Sequence, residues 1–175
     1  MKKISALFLL FFIMFTAIAN AANLKLYRNE EYQFSIKIPY EFQYRTPRGP
    51  NVKMLAGDTS GANMNIIIKP IPIKDSDEIF LKEILNIQKA QRPASTFVIN
   101  EGITDINNIK AAWTFSMNKY KNPKSDFTLA LLSYQFITNY KYYCITYCAS
   151  PDTYMLYEPL YIDSISSFVD ETGWY

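Results

Sequence analysis

The chain has 175 residues, with 18 lysines and arginines, 16 aspartates and glutamates, and no histidine. Without histidine, Ser-His-Asp and Cys-His catalysis and a histidine-ligated zinc site are all excluded. The near-balanced charge makes no electrostatic case for nucleic acid or an anionic membrane as a partner.

Lys2-Lys3 is a short positive start, Ile4 to Ala19 is an almost unbroken apolar run, and Ala19-Asn20-Ala21 supplies small residues for cleavage. Met1–Ala21 therefore reads as a secretory signal peptide, and the product as an exported protein of the periplasm or extracellular space. The rival reading, a retained anchor, meets a run at the short end of the roughly 20 residues a bilayer span needs. The only cysteines are Cys144 and Cys148, so no thiol near the cut could carry lipid. Removing 21 of 175 residues leaves 154, which suits a single domain over 22–175. Losing Lys2 and Lys3 leaves 16 basic residues against 16 acidic ones.

Leu24–Tyr27 reads as a short strand. Tyr32, Phe34, Ile36 and Ile38 alternate with Gln33, Ser35 and Lys37, the period of a half-buried strand stopped by Pro39. Thr46–Pro50 is a turn-rich loop, Asn51–Leu55 a strand, Ala56–Gly61 a polar turn and Met64–Ile68 a strong strand. Asp75 as N-cap, with Glu78 three residues on, predicts a capped helix. Its expected apolar face is Ile79, Phe80, Ile84, Leu85 and Ile87, and Pro93 marks its end.

Phe97–Glu101 and Ile109–Met117 read as strands. Lys119, Lys121 and Lys124 read as a solvated hairpin loop. Phe127–Thr138 and Lys141–Ala149 predict a long antiparallel hairpin turned near Asn139-Tyr140. Phe127–Leu132 is apolar on both faces, which predicts cover on both sides. On the second of these strands, at about 3.3 Å per residue, the Cα atoms of Cys144 and Cys148 stand about 13 Å apart. A disulfide reaches no more than about 7 Å. Both cysteines are therefore expected unpaired, partly buried and on one side, with Thr146 between them. Thr153–Val169 reads as a closing helix that buries Leu160, Ile165 and Phe168. Pro159 fits its first turn, with the regular part starting near Glu158. The order of elements predicts an α+β domain: an antiparallel β-sheet flanked by helices.

Glu31-Tyr32-Gln33-Phe34-Ser35-Ile36-Lys37-Ile38-Pro39 resembles the y-x-F-S-I-x-x-P opening of the PsbP-like family. That family includes the extrinsic PsbP subunit of photosystem II and bacterial DcrB-type envelope relatives. Tyr142–Tyr147 is similar to its penultimate k-x-Y-x-i-t-y strand, and Ile165-Ser166-Ser167-Phe168 to its closing i-x-x-S-F. The shared order of these short motifs carries the resemblance. It implies an α/β/α sandwich, no enzyme activity, and a role in binding or stabilising other proteins. The leader lacks a twin-arginine pair and plastid transit character, so a thylakoid role is not carried over. The histidine metal sites of some members have no counterpart in this chain.

Three short segments imitate catalytic or metal motifs. Ser116-Met117-Asn118-Lys119 matches S-x-x-K, but no S-D-N or K-T-G follows. Asp58-Thr59-Ser60-Gly61 is D-T-G with an insertion and reads as a turn. Asp75–Glu78 lacks the glycine and spacing of a calcium loop and reads as helix capping. No catalytic, cofactor or metal residue is assigned. Eight of 14 tyrosines fall between Tyr134 and Tyr161. Tyrosine is favoured in strands, but it also joins an apolar body to a polar tip and is enriched at interfaces. Tyr140, Tyr143 and Tyr147 on the hairpin are the candidate interaction surface. The expected function is that of a non-catalytic interaction, assembly or stabilisation domain of the cell envelope, with a protein partner there. The alternative is a carrier of an apolar ligand or lipid, held between sheet and helix. A small outer-membrane barrel is disfavoured by the two helices.

Overall fold

The computed structural model describes residues 23–122 and 125–173. The expected signal segment, Lys124 and the terminal Trp174-Tyr175 lie outside the described residues. Among the described residues ten strands and two helices follow in order: β1 (Leu24–Asn29), β2 (Phe34–Pro39), β3 (Gln43–Tyr44), β4 (Val52–Gly57), β5 (Asn63–Pro70), α1 (Glu78–Ala90), β6 (Thr96–Ile106), β7 (Ile109–Asn122), β8 (Ser125–Thr138), β9 (Lys141–Ala149), α2 (Pro151–Ser166) and β10 (Val169–Asp170).

The strands form two sheets. One has three strands in the order β1-β2-β10; the other has seven, in the order β3-β4-β5-β9-β8-β7-β6. Every pairing is antiparallel. The expected α+β class with an antiparallel sheet between helices is therefore the one found. A single sheet, as expected, would hold Tyr32–Pro39 and Lys141–Ala149 in one layer, whereas β2 and β9 lie in different sheets. The period of two shows that both segments are extended, but it carries no information on which strand pairs with which.

Alternation on β9 sorts the large sheet into two faces. Tyr143, Ile145 and Tyr147 point to one side and pair with Ile68, Ile66 and Met64 of β5, all buried. Phe136, Tyr134 and Leu132 lie opposite them on β8. Against this face pack α2 and the three-stranded sheet. Phe34 of β2, Phe136, Tyr143 and Phe168 form one aromatic cluster, with ring centroids 5.0 to 5.9 Å apart. Burying each such ring contributes roughly 1.5–3 kcal/mol. Tyr147 donates to Ser164 Oγ at 2.9 Å, and Ser164 Oγ donates to the Lys37 carbonyl. That chain ties β9 through α2 to β2.

The other face is more polar. Ser133 of β8 and Thr146 of β9 share a hydroxyl hydrogen bond at 3.1 Å. Helix α1 covers part of this face, and of its residues only Leu81 is fully buried. Ile79 and Ile87, expected on the buried side, are exposed. Ile87 borders a groove shared with Ile71, Phe80 and Ile84 and so stays half open to water. The N-cap also differs from expectation. Asp77 caps the helix, accepting from the Phe80 amide at 2.8 Å. Asp75 instead accepts from the Asn139 amide at 3.2 Å, so its carboxylate anchors the hairpin turn.

Two further expectations need correction. Phe127, expected under cover, is exposed at the far end of the hairpin, where it stacks on Tyr120 at 5.1 Å. The closing helix starts at Pro151 behind the N-cap Ser150, and Pro159 sits inside it. Proline frees the carbonyl four residues back. Here that residue is Met155, which is exposed, so water can satisfy its carbonyl. Cys144 and Cys148 are free thiols on the polar face, at the spacing an extended strand imposes.

Candidate functional site

The hairpin tyrosines separate in space. Tyr140 is 56% exposed at the turn, but Tyr143 and Tyr147 are both 0% exposed. Period-two alternation turns these two toward α2, where their rings fill the core rather than offering surface to a partner. The proposed three-tyrosine patch is therefore reduced to Tyr140. Asn139 and Tyr140 have φ of 48° and 61°. Both central residues being left-handed is the geometry of a tight hairpin turn, and a tyrosine is unusual there. The conformation is held from outside: the Ile71 amide donates to the Tyr140 carbonyl, and the Tyr140 amide donates to the Lys74 carbonyl, each at 3.0 Å.

A different site lies on the α2 side of the large sheet. Beyond the core, α2 diverges from β6 and β7, leaving an open cleft of about 520 Å³. Trp113 and Phe115 of β7, Tyr134 of β8 and Tyr154 of α2 supply its aromatic surface. Phe115 and Tyr154 stack at 4.8 Å. Trp113 fits because its strand partner is Gly102. A side-chain carbon at Gly102 would stand 3.1 Å from the indole Nε1.

Two carboxylates lie on the cleft wall, Glu158 of α2 and Asp105 of β6. Asp105 is 3.7 Å from Lys110 Nζ, while Glu158 makes no ion pair among the described residues. Burial, and then the Glu158 charge, raise the Tyr134 and Tyr154 hydroxyls above the ordinary tyrosine value. Both are thus neutral hydrogen-bonding groups at physiological pH. Among the described residues that line the cleft there is no lysine or arginine.

The rim is apolar. Ile99 of β6 and Ile162 of α2 line the cleft and are 48% and 44% exposed, and Phe97, two residues before Ile99 on β6, is 68% exposed. Among the described residues β6 is an edge strand, paired only to β7. A long edge with exposed apolar side chains is a place where another chain can pair. Sequence reasoning missed this site. Its signal was the spacing of Tyr154, Glu158 and Ile162, four residues apart on one helical stripe. Starting the helix near Glu158 hid that stripe.

Cys144 and Cys148 are not poised for chemistry, because burial raises both thiols above their ordinary value. Among the described residues no group of three or more Cys, Asp or Glu is placed to hold a metal. No described helix is long and apolar enough to cross a membrane.

Comparison with solved structures gives a similar backbone over nearly the whole length. Cyanobacterial PsbP (CyanoP) from Synechocystis sp. PCC 6803 superposes with a TM-score of 0.62 at 16% identity, covering 85% of this chain and 93% of that one. The chain has the PsbP fold. Two other proteins share the PsbP fold with this chain. One is the Ran-binding protein Mog1p of Saccharomyces cerevisiae, with a TM-score of 0.54, 9% identity, and 85% and 95% of the two chains covered. The other is LpqN of Mycobacterium tuberculosis, described as involved in cell envelope biogenesis, with a TM-score of 0.53, 8% identity, and 83% and 89% covered. No family model and no curated protein matches the sequence. At these identities the likeness establishes the PsbP fold and leaves function to the site itself.

Proposed function

We propose that this protein is an exported, non-catalytic interaction domain of the cell envelope that works through protein contacts. The cleft between α2 and β6–β7, with its apolar rim, is the contact surface. The observation that carries this reading is an aromatic cleft beside an edge strand, with the exposed apolar side chains of Ile99 and Ile162 on its walls and exposed Phe97 two residues from Ile99 on β6. Contiguous exposed apolar surface rimmed by polar groups marks interaction sites. The leader-like Met1–Ala21 supports an envelope setting. So does the use of the same fold by a protein of cell envelope biogenesis, and its use by a Ran-binding protein supports protein contact.

Replacing Phe97 and Ile162 together by serine tests the reading. Both side chains are exposed, so stability stays within about 0.5 kcal/mol of wild type. Crosslinking in the host followed by affinity capture then recovers a specific partner with the wild type and at least tenfold less with the double variant. Equal recovery from both would place the contact elsewhere.

The cleft also favours a second reading, a carrier of an apolar ligand. Its volume falls within the roughly 300–1,000 Å³ of small-molecule sites, and its walls are aromatic. Native mass spectrometry of protein purified from its host separates the two, since a carrier retains a small molecule.

A further inference from the structure

We infer that the cleft receives a basic side chain, lysine or arginine, projecting from the protein partner. The inference deepens the protein-contact reading and rests on it. Three features of the cleft converge on a cation with an apolar stem.

First, charge. Glu158 and Asp105 are both on the wall, and no cation among the described lining residues answers them. Lys110 reaches Asp105 from outside the cleft at 3.7 Å, whereas Glu158 has no such partner among the described residues. An anionic ligand would enter against the Glu158 carboxylate, and a purely apolar one would leave it desolvated and unpaired, which is costly.

Second, aromatic surface. Trp113, Phe115, Tyr134 and Tyr154 all line this one cleft. A cation within about 6 Å of a ring centroid is attracted by the quadrupole, most strongly over tryptophan. The same rings cover the methylene stem of a long basic side chain.

Third, access. The cleft opens beside the β6 edge, where an extended partner segment can run along Phe97 and Ile99. Alternate side chains of such a segment then face the cleft. The protein's own basic groups elsewhere are engaged differently: Arg92 pairs with Glu101 at 2.8 Å, and Lys141 with Asp170 at 3.5 Å.

The test has two arms. In the first, the Trp113 indole N–H resonance of the purified chain is titrated with n-butylguanidinium and n-butylammonium. Butanol and butyrate serve as neutral and anionic controls. Both cations are expected to shift the resonance saturably in the millimolar range. Glu158→Gln weakens them about tenfold, the loss of one charge-assisted contact. Glu158 is exposed, so this variant keeps its fold, which circular dichroism verifies. Butanol titrating as well as the cations, or Glu158→Gln titrating like wild type, overturns the inference.

In the second arm, crosslinked partner is recovered from the host with wild type and with Glu158→Gln. Loss of the partner with the variant supports the inference. Equal recovery overturns it while leaving the protein-contact reading standing. Recovery of no partner by either protein removes that reading, and the inference with it.

Discussion

Tyr143 and Tyr147 are two residues of the same type on the same face of β9, and the structure predicts opposite responses to losing their hydroxyls. Tyr147 donates to Ser164 inside the core. Tyr143 has a buried hydroxyl with no hydrogen-bond partner among the described residues. Burial costs a polar group its hydration, and only a partner offsets that. Tyr147→Phe should therefore destabilise by about 1 kcal/mol, and Tyr143→Phe should be neutral or stabilising. Urea midpoints at constant m-value read both. A loss at Tyr143 equal to that at Tyr147 would mean its hydroxyl is satisfied after all. The pair also shows what was legible in sequence. That the two tyrosines share a face follows from period two. Which face is buried depends on α2, a partner far along the chain, and no local pattern encodes it.

At the scale of elements, the strand patterns were legible wherever one face was apolar and the other polar, as in Tyr32–Pro39 and Met64–Ile68. The helices were less so. Helix α2 carries buried Tyr154, Tyr161 and Ile165 on one side and exposed Met155, Leu156 and Ile162 on another. A helix apolar on several sides has no clear stripe to read. The cap of α1 was misplaced because Asp75 and Asp77 are chemically equivalent, and only the approach of the hairpin turn decides between them.

The clamp between the two sheets is invisible in sequence altogether. Lys141 Nζ donates to the Tyr32 carbonyl and to Thr172 Oγ1, each at 2.7 Å, and lies 3.5 Å from Asp170. Burial raises the Asp170 carboxyl, but hydrogen bonds from Thr172 and Asn139 and the Lys141 charge outweigh it and hold it below 3.8. A carboxyl depressed in the folded state binds fewer protons there than in the unfolded chain. Its contribution is complete above the unfolded value and is lost as pH falls through the folded one. Asp170→Asn should flatten the fall in stability below about pH 4. Urea midpoints taken between neutral and acid pH check this. An unchanged acid limb would show that the clamp does not couple folding to protons.

For the whole molecule, the matter is one of placement: the three-stranded sheet and α2 bury Tyr143 and Tyr147 of the hairpin, and the proposed contact surface is the cleft between α2 and β6–β7. Fold class was legible because length, alternation and two helix signals constrain it together. The site was not, because Trp113, Tyr134 and Glu158 come from three elements whose meeting depends on sheet order. The most direct measurement is site-specific photocrosslinking in the host, with a benzophenone side chain replacing Phe97, two residues along β6 from the cleft residue Ile99, in one protein and Tyr140 at the hairpin turn in another. Both positions are exposed, so both probes are tolerated. The expected result is a discrete adduct from position 97 and none from position 140. An adduct from position 140 with none from 97 would contradict the claim.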